Sequence, residues 1–203
     1  DGAIKAINDH EVKRPRPSFN SGGLGLAVLQ TTDPDTNPRT IAMNYGPMGW
    51  GHGHSDRLGI HLISHGRYMA TDLGYPTFTG ANAERIAWSS HTASHNTVMV
   101  NDQPMRMWSS FSGKRGEGHS GPRGHPFAQD KARRIYPSVD TYRRSLVMVD
   151  VDEENSYYLD VFWVRGGRTH RLIQNGGAPT VTSNWRNWTR QAGGTLAGDD
   201  VPF

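Results

Sequence analysis

A chain of 203 residues with 24 glycines, 12 prolines and 34% hydrophobic residues has the turn-rich balance of short strands rather than long helices, and its length suits one all-β domain. It contains no cysteine, which excludes disulfide frameworks, thiolate metal sites and cysteine nucleophiles, so any metal must be held by histidine and carboxylate. The formal charge of +3, together with 10 histidines, favours anionic partners such as nucleic acid or acidic polysaccharide, and no apolar run approaches the roughly 18 residues of a membrane span.

The chain starts at Asp1 without an apolar leader, as expected of a soluble fragment or processed product. Residues 1–23 read as a connector: Lys13-Arg14-Pro15-Arg16-Pro17 and Ser21-Gly22-Gly23 are polar and carry no sustained period. Residues 24–203 read as one β-domain. Alternation at Leu24, Leu26 and Val28, and again at Ile41, Met43 and Tyr45, predicts half-buried strands separated by the turn cluster at 33–38. Leu58, Ile60 and Leu62 alternate before Ser64-His65-Gly66-Arg67, and apolar residues resume from Met69 to Leu73, which predicts a hairpin. A short helix is expected at 82–88, strands at 97–100, 146–151 and 157–164, an acidic turn at 152–155, and a long loop at 109–126, where aliphatic residues are few.

The densest chemistry lies in Gly49-Trp50-Gly51-His52-Gly53-His54-Ser55-Asp56-Arg57. In an extended segment His52 and His54 point to one side, where both could address a metal or a substrate. The bland alternative is a glycine-rich surface loop with two incidental histidines. A two-residue turn at His65-Gly66 or Gly66-Arg67 puts Asp72 on the face of His61, with Leu58, Ile60, Leu62, Met69 and Leu73 on the core side. Strand parity therefore nominates His61 with Asp72, while a bend at Ser55-Asp56 would let His54 reach Asp72 instead. A second polar cluster, from Trp88 through His91 and His95 to Thr97, brings His95 to a loop-to-strand junction where a sheet can position it. Histidine and aspartate donors suit Zn²⁺, and a zinc-bound imidazole needs a further partner; Asn96 or Asp102 could serve, or Asn96 could merely form a turn.

These blocks, with Thr71-Asp72-Leu73-Gly74-Tyr75 and His95-Asn96-Thr97-Val98-Met99-Val100 in the same order and spacing, resemble the C-terminal region of heparinase II/III-like polysaccharide lyases, among them heparinase, alginate lyase and ulvan lyase relatives. A weaker echo runs through Tyr142-Arg143-Arg144-Ser145-Leu146 and Tyr158-Leu159-Asp160-Val161-Phe162 to Gly166-Gly167-Arg168-Thr169-His170, so the resemblance spans about 24–176. It implies an antiparallel β-sandwich that in the family follows an N-terminal (α/α) toroid, in a bacterial periplasmic or secreted enzyme. It assigns His54, Asp72 and His95 to a zinc site, in preference to strand parity, and sets His52 in the substrate cleft between the two domains as the catalytic residue. The implied reaction is β-elimination on a uronic-acid polysaccharide, with further catalytic groups supplied by the helical domain. Arg57 resembles the basic residue that often follows the family's His-x-His and either binds a uronate carboxylate or forms a surface ion pair. Tyr75 is the second substrate-binding expectation; it and Tyr68 also have acid-base chemistry available, although strand tyrosines more often pack. Gln174-Asn175-Gly176 departs from the pattern, for a second histidine is expected there after His170.

Two rival readings stand beside this one. A cupin is imitated by Gly46 followed by His52-Gly53-His54, but the glutamate it requires is missing from 55–66. A non-catalytic carbohydrate-binding or structural sandwich is permitted by Trp50, Trp88, Trp108, Trp163, Trp185 and Trp188. Nucleic-acid binding has only the basic balance behind it and is set aside.

Overall fold

The computed structural model describes residues 18–31, 38–46, 53–74, 85–106, 117–119, 127–130, 135–152, 154–176 and 192–201, with single positions at 182, 184, 187 and 189. Strands β1 (Phe19–Ser21), β2 (Leu26–Gln30), β3 (Arg39–Asn44), β4 (Gly59–Ser64) and β5 (Arg67–Ala70) form an antiparallel meander in chain order. Strands β7 (Glu117–His119), β8 (Phe127–Asp130), β9 (Val139–Asp150) and β10 (Ser156–Gly166) make a second sheet in the order β10-β9-β8-β7. A two-stranded ladder pairs β6 (Val98–Val100) with β11 (His170–Leu172).

The large sheets bury their inner faces in one apolar core, an antiparallel β-sandwich as expected. Leu29, Ile41, Met43, Ile60 and Leu62 come from the first sheet, Tyr142 and Leu146 from the second, and Val98 and Val100 from the short ladder. Period-2 alternation is the cause: β3 buries Arg39, Ile41 and Met43 and turns the residues between them outward, and β9 and β10 alternate likewise over most of their length. Each fully buried aliphatic or aromatic side chain stabilises the fold by about 1.5–3 kcal/mol. Asp152 closes the β9–β10 hairpin as an acidic turn, its Oδ1 accepting the backbone N–H groups of Glu154 and Asn155. Where β2 begins and β3 ends, the backbones nearly touch: a Cβ on Gly25 (φ +75) would lie 2.1 Å from Gly46 Cα, so both positions need glycine.

The hairpin at β4–β5 turns at His65-Gly66, both with positive φ (51° and 70°), the mirror-image two-residue turn expected between twisted strands. Its register then departs from strict alternation. Ile63 faces Tyr68 but Leu62 faces Ala70, so Met69 is a bulge and Ala70 takes the core position. Met69 and Leu73, expected inside, are instead 53% and 54% exposed. The same slip of one residue reverses the strand parity beyond Met69 and lets Asp72 reach His95, with His61 still nearby. Other differences are smaller. The end of the stretch read as a connector pairs as β1, because Phe19 sits opposite Val28, while residues 1–17 lie outside the described residues. The long loop contains β7, paired with an unpredicted β8. The helix is one wide turn, Arg85–Ser89, with 82–84 outside the described residues.

Candidate metal centre

Three segments of the chain converge just before the start of β6. His54 is buried, and its neighbour Ser55 anchors the loop: the Ser55 N–H donates to Ser90 O (3.1 Å), its hydroxyl to Met105 O (3.2 Å), and its carbonyl accepts from Thr92 Oγ1 (2.8 Å). His95 follows the tight turn Thr92–Ser94 and is fully buried, its N–H donating to Thr92 O. Asp72 leaves β5 just after the bulge; its Oδ1 accepts from Gly74 N (3.0 Å) and its Oδ2 lies 2.5 Å from His95 Nδ1. The His54 and His95 rings are 5.1 Å apart, and His54, Asp72 and His95 offer ligand atoms all within 4.8 Å of one another.

Burial alone would raise the Asp72 carboxyl. The hydrogen bond and charge of His95, the Gly74 N–H and the nearby His61 outweigh it and hold the group below the usual carboxylate range. With Asp72 ionised and the imidazole neutral, His95 Nδ1 is the donor and the lone pair is on Nε2. That Nε2 is buried and has no hydrogen-bond partner, a state that costs about 1–3 kcal/mol unless something accepts the lone pair. A cation does so, and two imidazoles with a carboxylate, no thiolate competing, are a donor set that fits zinc. An ion on Nε2 would leave Asp72 on the far side of the ring as the group that orients His95, whereas an ion that takes Asp72 as a ligand replaces the proton between Oδ2 and Nδ1. His91 caps the turn before His95, its Nδ1 accepting from Ala93 N (3.1 Å); burial, and then the neighbouring His95, push it below the ordinary histidine value.

The model of the heparinase II/III-like C-terminal region matches residues 12–155. This chain belongs to that family. An alginate lyase of Stenotrophomonas maltophilia is 30% identical over 176 residues, 78% of this chain and 22% of the relative. An exo-oligoalginate lyase of Saccharophagus degradans is 35% identical over 90 residues, 40% of this chain and 12% of the relative. Among solved structures, a heparinase III superposes with a TM-score of 0.67 at 18% identity, covering 89% of this chain and 27% of that one. A heparan sulfate lyase of Pedobacter heparinus gives 0.55 at 22% identity, covering 71% and 22%. The heparinase II/III-like chain thus spans about a quarter or less of the length of these proteins, and it displays the sandwich fold of the two structures. Family membership disposes of the cupin reading.

Within this heparinase II/III-like sandwich the expected zinc ligands come together, whereas His52 and Tyr75 lie outside the described residues. Arg57 is 4% exposed and its Nη1 donates to Gly46 O (2.7 Å), bracing the end of β3. Tyr68 is exposed at the hairpin, and His61 is exposed on β4. Asp102 forms an exposed ion pair with Arg171 and does not support the histidines. Trp88 is buried, Trp163 is exposed with the Arg143 guanidinium over its ring, and the other four tryptophans lie outside the described residues.

Sequence reasoning missed the buried arginine behind the site and its partly exposed partner. Arg144 is 1% exposed and binds Asp160 in two-pronged fashion (2.8 and 2.6 Å), while its Nη1 donates to the carbonyls of Leu58 and Asn96 (both 2.6 Å). A signal was present: Arg144 occupies a core-facing position between Tyr142 and Leu146, where a charge requires a buried partner.

Proposed function

We propose that this chain is the sandwich part of a lyase that cleaves a uronic-acid polysaccharide by β-elimination, with one zinc ion held by His54, Asp72 and His95 and with His52 in the catalytic cleft. The convergence of those three donors, in a chain whose nearer sequence relatives are named for alginate, carries the reading. In the reaction a base removes the C5 proton, the C4–O bond breaks, an acid protonates the departing oxygen, and a C4=C5 double bond forms without consumption of water. The C5 proton becomes acidic only when the adjacent carboxylate is neutralised, so a donor or positive charge is needed there as well as the base and acid.

His52 stands two residues before His54, and a loop fixed at His54 would hold it against the substrate in a charge state tunable near neutral pH. Bound zinc would supply a positive charge that neutralises Asp72 and pins three segments together, a structural role. Arg57 would support the loop from beneath rather than grip a uronate. Tyr75 is assigned to substrate contact. The remaining acid-base groups would come from an N-terminal helical toroid, in a periplasmic or secreted bacterial enzyme, so residues 1–203 alone should turn over little substrate.

The test is the intact protein assayed on alginate first, then heparan sulfate and ulvan. The expected product is an unsaturated uronate that absorbs in the ultraviolet. His52→Ala should lower kcat/KM about a hundredfold or more with zinc content unchanged. Saturated products would mark hydrolysis and overturn the reading.

A further inference from the structure

Asn96 follows a proposed zinc ligand, yet its side chain turns away from the site into the protein and is 1% exposed. Every polar group on it is engaged. Its Nδ2 donates to Ile60 O (2.9 Å) and to Thr71 O (2.7 Å), and its Oδ1 accepts the backbone N–H of Asn175 (2.6 Å). Its own carbonyl accepts from Ile60 N (3.2 Å) and from Arg144 Nη1 (2.6 Å). Asn175 reciprocates: its Nδ2 donates to Ser94 O (2.9 Å) and its carbonyl accepts from Thr71 N (3.1 Å).

The targets matter more than their number. Thr71 precedes Asp72, Ser94 precedes His95, and Ile60 lies on the strand that continues the His54 loop through Leu58, whose carbonyl Arg144 holds. Thr71, the residue before a ligand, has both its N–H and its C=O bound by the two asparagines. Among the described residues no regular ladder joins the exit of β5 to the start of β6, so these amides do what sheet pairing does elsewhere. An asparagine suits the place because it has two donors and an acceptor in one rigid plane; aspartate lacks the donors and leucine has neither.

We propose that Asn96, with Asn175, is a positioning residue of the metal site: the two amides preset the spacing of the ligand-bearing segments and so set metal affinity. The inference rests on the zinc reading above. It also assigns a task to 174–176, where the family pattern leads one to expect a histidine.

The experiment compares the intact wild-type protein with Asn96→Asp, Asn175→Ala and the remote core variant Leu29→Ala. Zinc affinity is measured by chelator competition, geometry by the visible spectrum of the cobalt(II) form, and folding by thermal unfolding of the metal-free protein. Loss of a group that supports a metal ligand lowers affinity by about 10–100-fold. Asn96→Asp should fall in the upper part of that range with an altered cobalt spectrum. Asn175→Ala, which keeps its backbone N–H for Asn96, should fall in the lower part and carries the test if Asn96→Asp does not fold. Leu29→Ala should lose thermal stability yet bind zinc as the wild type does. Wild-type affinity and an unchanged cobalt spectrum in a folded asparagine variant would overturn the positioning role. So would affinity losses in proportion to thermal stability across all three variants, because that is the mark of a merely structural residue. Failure of the wild type itself to bind zinc would instead remove the metal reading and this inference with it.

Discussion

The molecule contains two kinds of interior, and they are built by opposite means. Between the large sheets the buried residues are Leu29, Ile41, Met43, Ile60, Leu62 and Leu146, each delivered by strand alternation and each replaceable in kind. Around His95 the described buried residues include Ser55, Ser89, Thr92, Ser94, Asn96, Thr97 and Arg144, with Trp88, Ala93, Met99 and Ile173 as a small apolar cluster beside them. A buried polar group costs free energy unless it is hydrogen-bonded, so the second interior is stable only while its network is nearly complete. Non-directional burial holds the sheets together and tolerates small change. Directional bonds hold the ligands in register and do not.

The largest expected effect tests that contrast directly. Arg144→Ala removes the partner of the partly exposed Asp160 carboxylate and a donor from the buried Leu58 and Asn96 carbonyls; each buried carbonyl left without its donor costs about 1–3 kcal/mol. Ile41→Ala in the apolar interior costs about 2–5 kcal/mol by transfer and cavity terms. The sizes overlap, and the coupling separates them. Urea unfolding of the double variants should show Asp160→Asn recovering part of the Arg144→Ala loss while adding independently to that of Ile41→Ala. Equal additivity in both pairs would mean that the polar interior behaves like the apolar one.

Metal should act on one interior only. Zinc bound by the native state alone, at about 100 times its Kd, raises unfolding free energy by about 2.7 kcal/mol, and the thermal midpoint with it. The gain should vanish in a His54→Ala, Asp72→Ala double variant, and slowed amide exchange should concentrate at 92–97 rather than in β1–β3. Stoichiometric zinc retained by the double variant would show that the ion sits elsewhere.

The same contrast explains which parts of the molecule are legible in its sequence. Apolar patterning locates β2, β3, β4, β6, β9 and β10, and burial alternates along β3, β9 and β10; in β2, however, Ala27 and Leu29 enter the core while Leu24 is exposed, and β6 is buried at all three residues. The pattern fails at Met69, where one extra residue in β5 sends Ala70 inward and brings Asp72 to His95; a bulge leaves no mark in an apolar pattern. The ligand set is legible through the spaced His and Asp blocks of the family resemblance, whereas strand parity alone points to His61. The network behind the ligands is not legible. Asn96 touches Ile60, Thr71 and Asn175, partners as far as 79 residues away in sequence, and no local rule relates them.

The smallest effect concerns protons. His91 lies beside the site with its Nδ1 accepting the Ala93 N–H, so that nitrogen must stay unprotonated in the folded protein. Burial first, and the nearby His95 second, lower its affinity for a proton relative to the unfolded chain, where a histidine titrates near about 6.5. Below that pH the unfolded state binds more protons than the folded one, so the stability contributed by neutral His91 is present above about pH 6.5 and is lost as the pH falls. Asp72 has the same sign at lower pH: its carboxyl is held below the ordinary range, so its contribution is lost only as acid reaches the carboxylate window. The two windows separate the residues. In the metal-free protein, His91→Asn keeps an acceptor for Ala93 N and should flatten the fall of the thermal midpoint between about pH 7 and 5, leaving the steeper fall in the carboxylate window. Asp72→Asn should do the reverse. A His91→Asn profile parallel to wild type in the upper window would show that the polar interior meets its first proton at another group.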